Sequence, residues 1–200
     1  RLSGKEAALF LGREGQAGEI LILNKNGKSS FSVDGANSSV SVGTGDNRVL
    51  IDGANSSVSV GTGDNRVLID GSAGDIRLIG ADCAEEFALS EAADVDPGTV
   101  LVIGENSALH PCCSPYDKRV AGVVSGANGV RPGIILNRQD EGNGTLPVSL
   151  NGRVCCKVDA DYEPVGIGDL LTTSSTPGHA MRATDPHNAF GAVLGKALEP

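Results

Sequence analysis

Residues 34–51, Asp-Gly-Ala-Asn-Ser-Ser-Val-Ser-Val-Gly-Thr-Gly-Asp-Asn-Arg-Val-Leu-Ile, recur letter for letter at residues 52–69. Identity at all eighteen positions marks a very recent duplication or an engineered one. Inside the unit a shorter period governs the apolar residues. Phe31, Val40, Val49, Val58, Val67 and Ile76 lie nine apart, and so do Val33, Val42, Ile51, Val60, Ile69 and Leu78. Each nine-residue step therefore offers a short alternating strand with two apolar residues on one face, followed by a turn such as Gly43-Thr44-Gly45, Asp52-Gly53 or Asp70-Gly71. A strand with two apolar residues has no core of its own and needs neighbours.

Two stacked arrangements satisfy that need. In a monomeric β-solenoid with two strands per 18-residue coil, residues 31–78 supply about two and a half coils, short of the roughly three such folds need. In a trimeric fibre, a β-helix or β-prism, three parallel chains wrap together and the twelve residues of both stripes meet at the axis. The trimer is the favoured expectation, because it builds a core from Val, Ile and Leu with a single ring, Phe31, per chain. Composition agrees: the chain has 4 Phe, 2 Tyr and no Trp among 200 residues, with 28 Gly.

Charge excludes some partners. A net charge of −9 argues against nucleic acid, which is held by clustered Lys and Arg. No apolar run reaches the roughly 18 residues of a membrane-spanning helix, so no membrane insertion is expected. The chain starts at Arg1 without Met or a signal-like segment and reads as a piece of something longer. The acids concentrate between Asp82 and Asp96, where Asp82, Glu85, Glu86, Glu91, Asp94 and Asp96 stand with no base. Within that stretch, residues 84–93 have helix formers and a weak helical spacing, which predicts a short helix in an acidic connector. The expected organisation is a stem entry over 1–32, a repeat stem over 33–80, the connector over 81–98 and a β-rich domain over 99–200.

In that last domain short β-branched strands are expected at 99–103, 119–125, 133–137, 146–150, 153–158, 170–173 and 192–197, forming a β-sandwich or barrel-like structure. Asn151-Gly152 predicts a two-residue hairpin that sets Cys155 opposite Val148.

Several segments of this half follow one another in a telling order. They are Gly80-Ala81-Asp82-Cys83-Ala84-Glu85-Glu86-Phe87, Lys118-Arg119-Val120-Ala121-Gly122-Val123-Val124-Ser125-Gly126, Leu150-Asn151-Gly152-Arg153-Val154, Gly166-Ile167-Gly168-Asp169-Leu170-Leu171-Thr172-Thr173 and Pro177-Gly178-His179-Ala180-Met181. Together, over roughly residues 80–198, they resemble the C-terminal chaperone domains of bacteriophage tail-fibre and neck-appendage proteins. The resemblance implies a structural fibre protein that forms a homotrimer, made in the bacterial cytoplasm and carried on a virion or other extracellular particle. Its further partners would be a host surface receptor or other virion proteins. In some members the domain is an intramolecular chaperone that cuts itself off. The cut lies near an Ala-Asp-x-Ala-Glu-x-Phe motif, with a hydroxyl nucleophile and a nearby Glu.

The matching positions here are Asp82, Cys83, Ala84 and Glu85. No Ser or Thr lies between Ser72 and Ser90, so Cys83 would stand in for the hydroxyl, with Glu85 or Glu86 taking its proton. Surrounding acids make a thiol less reactive, and a loop thiol in an acidic connector is the plainer reading. The only enzyme activity entertained is therefore single-turnover autoproteolysis. A carbohydrate-binding tip has little support from six scattered aromatics.

Metal and cofactor sites are not expected. Gly43-Thr44-Gly45-Asp46-Asn47-Arg48-Val49 loosely follows calcium-binding nonapeptide rolls, but Arg48 occupies the ligand position. Asp46, Asn47, Asp64 and Asn65 read as turn residues that cap their own backbone. Cys112-Cys113 and Cys155-Cys156, with His110, include zinc-ligand types, yet adjacent cysteines on a strand point to opposite faces. Either a disulfide between the pairs or reduced, buried thiols fits. His179 and His187 sit in turn contexts without a nucleophile motif beside them.

Overall fold

The computed structural model describes residues 17–63, 65–90, 95–138, 144–161 and 163–200, with two short strands, β1 (Leu2–Ser3) and β2 (Ala8–Leu9), that pair with each other. The chain divides into two units, Arg1–Ile79 and Gly80–Pro200. Glu91 and Asp94 of the acidic stretch lie outside the described residues, as do Asp64 and residues 139–143.

In the first unit seven strands follow in order: β3 (Glu19–Leu23), β4 (Ser29–Asp34), β5 (Ser39–Thr44), β6 (Asn47–Asp52), β7 (Ser57–Thr62), β8 (Asn65–Asp70) and β9 (Asp75–Leu78). Each pairs antiparallel with the next, giving one open meander. Within the chain, hairpins rather than the coils of a monomeric solenoid thus join successive strands. Two turn chemistries enforce the reversal. At one set of strand ends the Asp34 carboxylate accepts the backbone N–H groups of Ala36 and Asn37 and the Asn37 side-chain amide. Asp52 and Asn55 repeat this, and Asp70 does so with Ser72 and Ala73. At the other ends Gly43 has φ +102°, and a Cβ there would lie 2.2 Å from the Asn47 carbonyl oxygen, so only glycine fits.

The second unit contains β10 (Asp82–Ala88), β11 (Val100–Ile103), β12 (Leu109–Pro111), β13 (Val120–Val124), β14 (Pro132–Leu136), β15 (Thr145–Gly152), β16 (Leu170–Thr173), β17 (Ala180–Arg182), a four-residue helix α1 (Pro186–Ala189) and β18 (Val193–Lys196). One sheet has the order β12-β11-β13-β15-β10-β14 and a second the order β17-β16-β18. Among the described residues no sheet closes on itself, so layered sheets stand where a barrel was the alternative. Strand β11 is buried on both faces, which is why it reads as an unbroken apolar run. Val100 and Val102 join Cys112, Val123, Leu171, Ala180 and Ala197 in one cluster. Leu101 joins Leu109, Val124 and Val148 in another, with Phe87, Leu89 and Leu146 packed against it.

Two expectations fail here. The segment expected as a helix within 84–93 is strand through Ala88. β10 pairs with β15 on one side and parallel β14 on the other, and the ladder on both edges overrides a weak helical propensity. The hairpin at Asn151-Gly152 is also absent. Both residues are in β15, opposite Cys83 and Asp82, and a Cβ on Gly152 would lie 2.5 Å from the Ala81 carbonyl. The glycine serves a close backbone approach rather than a turn, and residues 153–157 leave the sheet as irregular chain.

Candidate functional site

Strand pairing places the two sequence stripes on one face of the meander and sorts them into rows. Ile20, Val33, Val40, Ile51, Val58, Ile69 and Ile76 form one continuous row of cross-strand partners. Ile22, Phe31, Val42, Val49, Val60, Val67 and Leu78 form the other. Because side chains alternate with a period of two, the opposite face carries Ser32, Ser41, Leu50, Ser59, Leu68 and Arg77. With strands about 4.8 Å apart, the apolar face runs for about 29 Å. None of the described residues of the unit covers it: Val42 is 50% exposed, Ile51 49%, Val60 52% and Ile76 65%. No described residue between 17 and 79 is buried, whereas the buried residues begin at Asp82. Folded monomers rarely leave more than a few hundred Å² of contiguous apolar surface open.

The self-cleavage candidates sit in β10 and not in a loop. Asp82 is buried. Its Oδ1 accepts the Ser125 hydroxyl at 2.9 Å, and its Oδ2 has no partner among the described residues. Cys83 is half-buried opposite Asn151 and Ile134, and Glu85 stands opposite Val148 and Leu136. Glu86 accepts the Thr145 hydroxyl at 3.1 Å. The ladders of β10 shift register on either side of Cys83, between Asp82 and Cys83 against β14 and between Cys83 and Ala84 against β15. The peptide bonds around Cys83 are held extended between two neighbouring strands, so attack on them requires that sheet to open. The hydroxyl brought to Asp82 is Ser125, 43 residues away in sequence. Its only local signal was the following Gly126-Ala127-Asn128-Gly129 turn.

A second polar cluster escaped sequence reading altogether. Asp159 accepts the hydroxyls of Ser174 (2.9 Å) and Thr176 and the Asp161 N–H (3.0 Å). These donors, led by Thr176, hold its carboxyl below the usual range. The arrangement fixes the loop between β16 and β17. Every donor in it is spent on structure.

All five cysteines are free thiols. Cys112 donates to the His179 carbonyl at 3.2 Å, and burial pushes its thiol up. Cys156 is likewise raised by burial, then by the neighbouring Cys155. His110 and His179 each donate Nδ1–H to a nearby carbonyl, of Pro111 and Pro177 respectively. Among the described residues no group of three or more His, Cys, Asp or Glu converges as metal ligands. Asp46, expected to cap its own turn, instead accepts the Thr62 hydroxyl of a neighbouring hairpin at 2.7 Å. Among the described residues no helix is long and apolar enough to cross a membrane.

The feature with a chemical consequence is thus the uncovered apolar face of β3–β9, a surface suited to burial against like surface. No protein-family model matches the chain, and no curated protein or solved structure matches it either.

Proposed function

We propose that this chain is a structural fibre protein, a piece of a phage or phage-derived tail fibre or appendage. Its first unit is a stem that becomes stable when three copies bring their apolar faces together. The observation that carries the reading is the contrast in burial: no described residue of the sheet over 17–79 is buried, while residues 80–200 hold two apolar clusters of their own. A flat sheet with one wholly apolar face, and Ser interleaved with Leu21, Leu50 and Leu68 on the other, solves the burial problem of the apolar face by setting it against copies of itself. Three such sheets set as the sides of a prism, with strands across the axis, bury six parallel rows made mostly of Val and Ile. The small side chains suit a narrow axis, and the absence of Trp follows.

The resemblance over residues 80–198 supplies the assignment to a fibre and the role of the second unit as an assembly domain. The strand geometry around Cys83 gives self-cleavage no added support.

Paired substitutions test the reading. V42D with V60D places two carboxylates in one apolar row, and light scattering should report monomers. S41D with S59D adds the same charges to the opposite face and should leave the oligomer intact. An oligomer that survives V42D/V60D unchanged would sink the proposal.

A further inference from the structure

The strand ends of the stem sheet segregate charge. Glu19, Asp34, Asp52, Asp70 and Asp75 all lie at one margin. Among the described residues their one internal counter-charge is Arg77, whose guanidinium lies 3.0 Å from Asp70 and 3.2 Å from Asp75. Asp34, Asp52 and Asp70 are held below the usual carboxyl range by the side chains and N–H groups they cap, so this margin stays ionised. At the opposite margin stand Lys25, Lys28, Arg48 and Arg66, all exposed. Asp46 shares that margin with its carboxylate bonded to Thr62, and Asp64 is outside the described residues. Among the described residues Arg48 and Arg66 form no ion pair. Asp52 stands four residues along the strand from Arg48, about 13 Å away, too far to pair.

We infer that neighbouring copies dock margin to margin, the acidic margin of one stem sheet against the Lys25, Lys28, Arg48 and Arg66 margin of the next. The inference rests on the self-associating stem proposed above and specifies its partner contact. When sheets close around an axis along which their strands stack, all running the same way, each corner joins opposite margins. Reversing one copy joins like margins, five carboxylates against carboxylates, which is repulsive at contact distance. Charge thereby selects the parallel alignment, and the repeat sets the spacing: Arg48 and Arg66, like Asp34, Asp52 and Asp70, recur every 18 residues. Two strands make one such step, about 9.6 Å, so ion pairs recur along the corner in register.

Zero-length carbodiimide coupling of the full chain tests the contact. Lys25 and Lys28 are native amines, and R48K with R66K adds two more. Peptide mapping of the covalently dimeric band should show these positions joined to Glu19, Asp34, Asp52, Asp70 or Asp75. Within a chain the width of the sheet separates them. Joints only to Asp46 or Asp64, or no joint between the margins in a chain that sediments as an oligomer, would overturn the margin pairing and leave self-association standing. A monomeric chain would overturn both. As a second measurement, R48E with R66E should weaken association at least tenfold and reverse its response to salt, because added salt then screens a repulsion between margins rather than an attraction. Unchanged association and salt response would count against the pairing.

Discussion

Asp82 illustrates how a single residue can be conspicuous in sequence for one reason and in structure for another. It stands out in the sequence as part of an acidic motif, but in the fold it is a buried carboxylate that depends on the Ser125 hydroxyl. Removing that hydroxyl with S125A leaves the buried Oδ1 without its donor. Unfolding by urea should show the second unit destabilised by about 1–3 kcal/mol, with the slope unchanged. No loss of stability would show that the bond contributes nothing.

Asp159 makes the corresponding prediction for pH. Its folded carboxyl is held below 3.8 by Thr176, Asp161 and Ser174, so the stability it contributes is present above that value and is lost as pH falls through the lower, folded one. The D159N variant should therefore unfold with a flatter acid profile than the parent below pH about 4. Identical profiles would refute the role. Neither cluster was legible beforehand, because Ser125 lies 43 residues from Asp82, and Ser174 and Thr176 lie 15 and 17 residues from Asp159. Only the fold brings them together.

Among elements, the nine-residue spacing gave the stem strands and their shared face correctly. Phe31, Val42, Val49 and Val60 do lie side by side. What the spacing left open was the path between strands, since two apolar residues in nine suit a coil as well as a hairpin. The decision rests on turn residues. Asp34 and Asp52 cap reversals, and Ser38 and Ser56 take positive φ values of 53° and 52° within them. In the second unit β10 and the segment after Gly152 were misread for one reason: strand pairing from β14 and β15 is invisible locally.

The repeat yields a direct prediction at this scale. Deleting residues 52–69 removes one hairpin step and leaves Asp70 to follow Ile51 as Asp52 does now. Every junction is retained, so the chain should keep its oligomeric order while X-ray scattering shows a stem shorter by about 9.6 Å. Aggregation or a changed oligomeric state would contradict independent, register-preserving steps.

The molecule as a whole divides its burial unevenly, and composition foreshadowed this only in part. Scarce aromatics and abundant glycine pointed to thin sheets, while the location of the core emerged from the fold: all of it lies beyond residue 80. L101A, which empties a fully buried site in β11, should cost the second unit about 2–5 kcal/mol and leave stem contacts in place. A melt in which stem and second unit lose stability together would show that they do not fold separately. The central claim is that the first unit completes its core only with other copies. Sedimentation equilibrium of the unmodified chain at micromolar concentration tests it most directly. The account predicts a single species of three times the chain mass, and a stable, folded monomer would contradict it.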